Sequence, residues 1–168
     1  MREVRDLVSS IKESLDRIDL SKLKRLDIQT LSLFKEIVDS ALEISEKISC
    51  IDETKNFGNV DHLCFKNLVL TKTSQGVVIN KLGFGRVIHF DTRNRELKIS
   101  SDKYEIRLTP TQILLRISEI QRTIDLRKIE NISENNAIAV KIFSNVIEAL
   151  NKTNEDLSRC IRIERIKC

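Results

Sequence analysis

An α+β fold is what this chain of 168 residues predicts: N-terminal helices and a long C-terminal helix forming a helical bundle, with an antiparallel β-meander inserted between them. Three observations predict it. Apolar residues near both ends recur at 4-3 spacing, the period that places side chains on one seam of a helix. Residues 61–109 instead alternate between apolar and polar and are punctuated by Gly, Asn, Asp and Ser, the pattern of short strands joined by tight turns. The length suits one buried core rather than several unrelated domains. The expected division is a helical segment over 1–57, a basic meander over 58–109, and a C-terminal helical segment over 110–168 that packs on the first.

Val4, Val8, Ile11, Leu15 and Ile18 keep the 4-3 spacing and predict a first amphipathic helix. Ser21 can cap a second helix, on which Leu31, Phe34, Val38, Ala41, Ser45 and Ile48 form one stripe with Leu33, Ile37 and Ile44 beside it. That helix is expected to end near Cys50 or Ile51, before the turn signature Phe57-Gly58-Asn59.

The strands are read in order. His62 to Leu70 is extended, Lys72 to Gly76 a hairpin loop, and Val77 to Leu82 the return. Gly83 and Gly85 suggest a bend or bulge, or equally a loop. Arg86 to Phe90, a turn at Asp91 to Asn94, and Arg95 to Ile99 follow. After a turn at Ser100 to Lys103, Tyr104, Ile106 and Leu108 alternate with Lys103, Glu105 and Arg107, the cleanest strand signal in the chain. The meander therefore has about five strands.

From Thr109 the reading divides. Thr109-Pro110-Thr111-Gln112 has the form of a capping box, and Ile113, Ile117, Ile120 and Ile124 repeat at 4-3-4, which favours a helix. The competing reading takes residues 113–126 as two further strands with a phase slip at Ser118, giving seven. A last helix capped by Asn131 or Ser133 then carries the seam Val140, Phe143, Ile147, Leu150, Asn154, Leu157 and Ile161, where a polar Asn154 can set register with a partner helix.

Hydrophobic residues make up 40% and charged residues 32%, a balance of soluble globular chains, and no apolar run is long enough to span a bilayer. With no signal peptide at the N-terminus, a cytoplasmic protein without membrane contact is expected. Abundant Ile, Lys, Arg and Glu are compatible with a thermophilic source. Cys50, Cys64, Cys160 and Cys168 form no CxxC pair and read as ordinary structural thiols, so no metal site is expected.

Signatures of known chemistry are missing. No P-loop, GxSxG, HExxH or EF-hand loop occurs, and Gly83-Phe84-Gly85 lacks the third glycine of a dinucleotide site. His62 and His89 have no acid or nucleophile beside them in sequence, and His89 reads as a sheet residue rather than a catalyst. The expectation is a protein that is not an enzyme and holds no cofactor.

Charge is distributed unevenly, with net values of −2 over 1–57, +5 over 58–130 and +1 over 131–168. Arg86, Arg93, Arg95, Lys98, Lys103 and Arg107, interleaved with Phe84 and Tyr104, make the sheet a candidate nucleic-acid surface, since cations attract phosphates and aromatic rings stack on bases. A solvated sheet face carries the same residue types, as does an edge strand protected against pairing. Arg159, Arg162 and Arg165 at i, i+3 spacing suit the negative end of a helix dipole or an acidic partner. The functional reading that follows is an interaction or assembly subunit that oligomerises or docks a protein partner through its amphipathic helices. Nucleic-acid binding through the sheet is the alternative.

Overall fold

A computed structural model of the chain describes residues 2–53, 62–65, 67–81, 85–129, 132 and 136–158. Helix α1 spans Arg2–Asp16 and α2 spans Arg25–Glu53; eight strands follow, and α3 spans Asn136–Leu157. The strands are β1 His62–Phe65, β2 Leu68–Lys72, β3 Gly76–Lys81, β4 Arg86–Asp91, β5 Glu96–Ser100, β6 Tyr104–Leu108, β7 Gln112–Ile117 and β8 Ile120–Asp125. They form one open antiparallel sheet in sequence order, with β1 and β8 as its edges.

The α1 seam forms as the 4-3 spacing requires, burying Val4, Leu7, Val8, Ile11 and Leu15. Ser21 does not cap α2. Asp19 instead accepts hydrogen bonds from the Ser21 backbone and hydroxyl, closing a single 3-10 turn at Leu20–Lys22, and α2 begins three residues later. Ion pairs Arg5–Glu46, Lys12–Asp39 and Asp16–Lys35 run down the α1–α2 contact in opposite sequence directions, so the two helices are antiparallel.

The α2–α3 contact has the other sense. Thr30 bonds Asn136, Ser40 bonds Asn151 and Asn154 donates to Glu43, partners that advance together along both helices. These helices are parallel neighbours. A parallel pair needs a long return connection, and the whole sheet supplies it.

Cross-strand register carries the apolar alternation across the sheet. Leu63, Leu70, Ile79, Ile88, Ile99, Ile106 and Leu115 form one continuous row, and Val77, Phe90, Leu97, Leu108, Ile113 and Ile124 form the next. Both rows face the helices. Together with α1, α2 and α3 they make one apolar core; the sequence left open one integrated unit or two subdomains, and the expected helical bundle is only partly matched, because its helices also pack on the sheet.

Two segments correct the expected strand count. His62 to Leu70 is not one strand but a hairpin, with Phe65 opposite Leu68. The stretch expected to be helical after Thr109 is the β7–β8 hairpin. Its 4-3-4 isoleucine spacing arises because the Ser118–Glu119 turn, with Ser118 at φ 52°, shifts the phase between two alternating strands. The capping signature at Thr109 is real chemistry put to another use: its hydroxyl accepts from the Thr111 and Gln112 amides inside the β6–β7 turn.

Among the described residues Gly76 is the position where close approach of the sheet backbone demands glycine. A Cβ there would lie 1.7 Å from the Phe90 carbonyl oxygen, with φ at +155°. The bend expected at Gly83 to Gly85 falls outside the described residues except for Gly85, which has φ 57°.

Cys50 in α2 and Cys64 in β1 are both disulfide-bonded, and the described residues include no free cysteine. For Cys50 and Cys64 the expectation of ordinary thiols is thus corrected, while Cys160 and Cys168 lie outside the described residues; sequence spacing does not reveal pairings that only the fold creates. Because a disulfide restricts the unfolded chain, reduction is expected to lower stability by about 2–3 kcal/mol, read as a fall in the thermal midpoint on adding a thiol reductant. An unchanged midpoint would show that these bonds do not support the fold.

Candidate functional site

Two surfaces gather the residues singled out in the sequence: the sheet face turned away from the helices, and the groove between α2 and α3. On the sheet face, register sets Val78, His89, Lys98, Arg107, Leu114 and Thr123 in one row, beside Asn80, Val87, Ser100, Glu105, Arg116 and Gln121.

Glu105 is the centre of that face. It is only 2% exposed although it lies opposite the apolar core, because three cations close over it. Lys98 Nζ stands 3.1 Å and Arg107 Nε 3.0 Å from Oε1, and an Arg116 guanidinium nitrogen stands 2.8 Å from Oε2. Burial pushes its carboxyl pKa upward, but the hydrogen bonds from Lys98 and Arg107 and their charges outweigh that and hold it below the ordinary carboxylate range. Arg107 also lies 3.9 Å from Glu96. The cations of this face are therefore largely matched by its own carboxylates.

The proposed nucleic-acid residues do not share one surface. Lys98 and Arg107 lie in the matched network; Arg93 and Arg95 are exposed in the β4–β5 turn; Lys103 is exposed in the β5–β6 turn at the opposite end of the strands. A five-residue strand separates the two turns by roughly 17 Å. Tyr104 is buried on the helix-facing side. Phe84 and the Arg86 side chain lie outside the described residues. His89 is half-buried between Val78 and Lys98, and among the described residues its Nε2 has no hydrogen-bond partner.

The predicted seam divides between core and surface. Phe143, Leu150 and Leu157 are fully buried within the chain. Ile147 and Asn154 sit half-buried at the flank, Val140 is exposed, and Ile161 lies outside the described residues, as do Arg159, Arg162 and Arg165. Asn154 sets register inside this chain: its amide donates to Glu43 on α2 at 2.6 Å. Thus most of the seam is consumed by α2 and the sheet.

What remains open is the groove flanking it. Leu33 and Glu36 of α2 and Ser144, Ile147, Asn151 and Glu155 of α3 line a depression of about 450 Å³. Leu26 and Leu33 lie seven residues apart on one face of α2, as do Val140 and Ile147 on α3. Leu26 is 58% and Val140 36% exposed, so each helix also carries an exposed apolar side chain two turns N-terminal to its groove residue. Sequence reading named Leu33, Ile147 and Val140 but missed Leu26, although it lies seven residues before Leu33 on the same stripe.

Among the described residues no cluster of His, Cys, Asp and Glu can hold a metal ion, and no helix is long and apolar enough to cross a membrane. No protein-family model, curated protein or solved structure matches the chain.

Proposed function

We propose that this protein is a non-enzymatic interaction or assembly subunit that docks a helical partner along the α2–α3 groove. The supporting observation is that groove itself: Leu33 and Ile147 facing each other between two parallel helices joined by their own hydrogen bonds, with Leu26 and Val140 exposed two turns earlier on the same helices. Its rim carries Glu36, Glu148 and Glu155 against the single cation Lys152. Helix-in-groove recognition reads apolar anchors at helical spacing, and an acidic rim selects an occupant with basic flanks. The partner is accordingly an amphipathic helix with Lys or Arg beside its apolar stripe.

Nucleic-acid binding through the sheet has less geometric support, since its cations are split between two ends and a self-neutralised face. A cytoplasmic setting belongs to the same proposal. Disulfides at Cys50 and Cys64 then make the thermophilic composition relevant, because intracellular disulfides are frequent in hyperthermophiles.

The test pairs sedimentation velocity across concentration with anisotropy titrations using amphipathic helical peptides of basic or acidic flank. Either self-association or binding of the basic peptide is expected, weakened at least about tenfold in the double variant Leu33→Glu, Ile147→Glu. Both residues are half-exposed, so the variant should fold. A strict monomer that binds neither peptide contradicts the proposal.

A further inference from the structure

A second cavity lies on the other side of α3, between that helix and the sheet. Its floor is the row Ile79, Ile88 and Ile99, three isoleucines placed side by side by the pairing of β3, β4 and β5. Its roof is Ala149, Leu150 and Thr153. Elsewhere α3 covers the core with Phe143, Val146 and Leu157; here two small residues one turn apart leave a gap of about 100 Å³.

The lining decides what can enter. Thr153 donates its hydroxyl to the Ala149 carbonyl at 2.8 Å, so it offers no free donor to a ligand. The mouth is framed by Lys81, paired with Asp156 at 3.3 Å, and by Lys152, paired with Glu148 at 2.8 Å. Those charges cancel and leave no net attraction for an anion. An enclosed apolar cavity of about 150 Å³ accommodates benzene, so the apolar part of the present gap, which is open at its mouth, matches roughly four carbon atoms.

We infer that this cavity is a binding site for the branched aliphatic end of an uncharged molecule, an isobutyl-sized group seated on the isoleucine row with the rest of the ligand leaving between the two ion pairs. The cavity opens beside the α2–α3 groove, sharing Glu148 and Lys152 with its rim, but its apolar floor and roof are separate from the groove's and do not depend on the function proposed for it.

Methyl-resolved NMR titration of the intact protein with isobutanol, isobutyrate and dissolved xenon tests this. Isobutanol and xenon are expected to give saturable shifts confined to Ile79, Ile88, Ile99 and Leu150 and to compete with each other, while isobutyrate binds at least about tenfold more weakly because its carboxylate would lose hydration at the mouth with no unpaired cation to replace it. Ala149→Leu, which fills the gap, is expected to abolish both responses. Shifts that spread over many methyls without saturating would overturn the inference, as would equal binding of isobutyrate. If Ala149→Leu does not fold, the wild-type competition decides: isobutanol and xenon binding without displacing one another also overturns it.

Discussion

Replacing Phe34 with alanine is expected to destabilise the protein by about 3–5 kcal/mol, among the largest losses expected of a single core substitution. Phe34 is fully buried in the N-terminal half of α2, and its ring lies 4.2 Å from that of Phe143 on α3, tilted by 59°. Truncation removes a large apolar surface and leaves a cavity among helices that are packed on both flanks. It also breaks the aromatic contact that holds the parallel pair together. Chemical denaturation should show the loss, and the thermal midpoint should fall by roughly 6–20 °C for a chain of this size. Phe143→Ala should cost a similar amount, and the double variant less than the two together, by about 0.5–1.5 kcal/mol of ring-to-ring coupling. A Phe34→Ala loss below about 1 kcal/mol would mean that α2 and α3 do not pack as described.

Glu105→Gln is the second large effect, about 3 kcal/mol at neutral pH, since removing one partner from a buried ion network leaves the others uncompensated. The partly exposed cations Lys98, Arg107 and Arg116 keep the value at the low end of that range. The pH dependence follows from the direction of the shift. The Glu105 carboxyl titrates lower in the folded chain than in the unfolded one, so its contribution is complete above the unfolded pKa and is lost as pH falls through the folded one. The stability gap between the wild type and Glu105→Gln should therefore close on acidification below the ordinary carboxylate range. A gap that persists at low pH would assign the effect to shape rather than charge.

The sequence carried the helix seams and the strand alternation because each is a local period imposed by which side must face the core. Val4 to Leu15 and Tyr104 to Leu108 were legible for that reason. Ile113 to Ile124 was not, because two strands out of phase across a short turn reproduce a helical spacing. The split of His62 to Leu70 into two strands was hidden likewise, within an apolar run too short to show its own turn.

The candidate site was less legible than the fold. Its basic residues could be counted, but whether Lys98 and Arg107 were available depended on Glu105 lying between them, and that is a consequence of register across three strands. The seam ending in Asn154 was visible, yet its partner turned out to be α2 of the same chain. The parallel sense of α2 and α3, which creates the groove, follows from the sheet acting as a crossover and leaves no local mark.

The central claim, that the α2–α3 groove is the docking surface, is tested most directly by site-specific photo-crosslinking in the source cell. A photoreactive side chain at Ser144, exposed in the groove, is compared with one at Thr123, exposed on the outer sheet face. One discrete polypeptide, another protein or a second copy of this chain, should be captured from Ser144 and lost when Leu33 and Ile147 are both replaced by glutamate. Capture only from Thr123, whether of protein or of nucleic acid, would contradict the account.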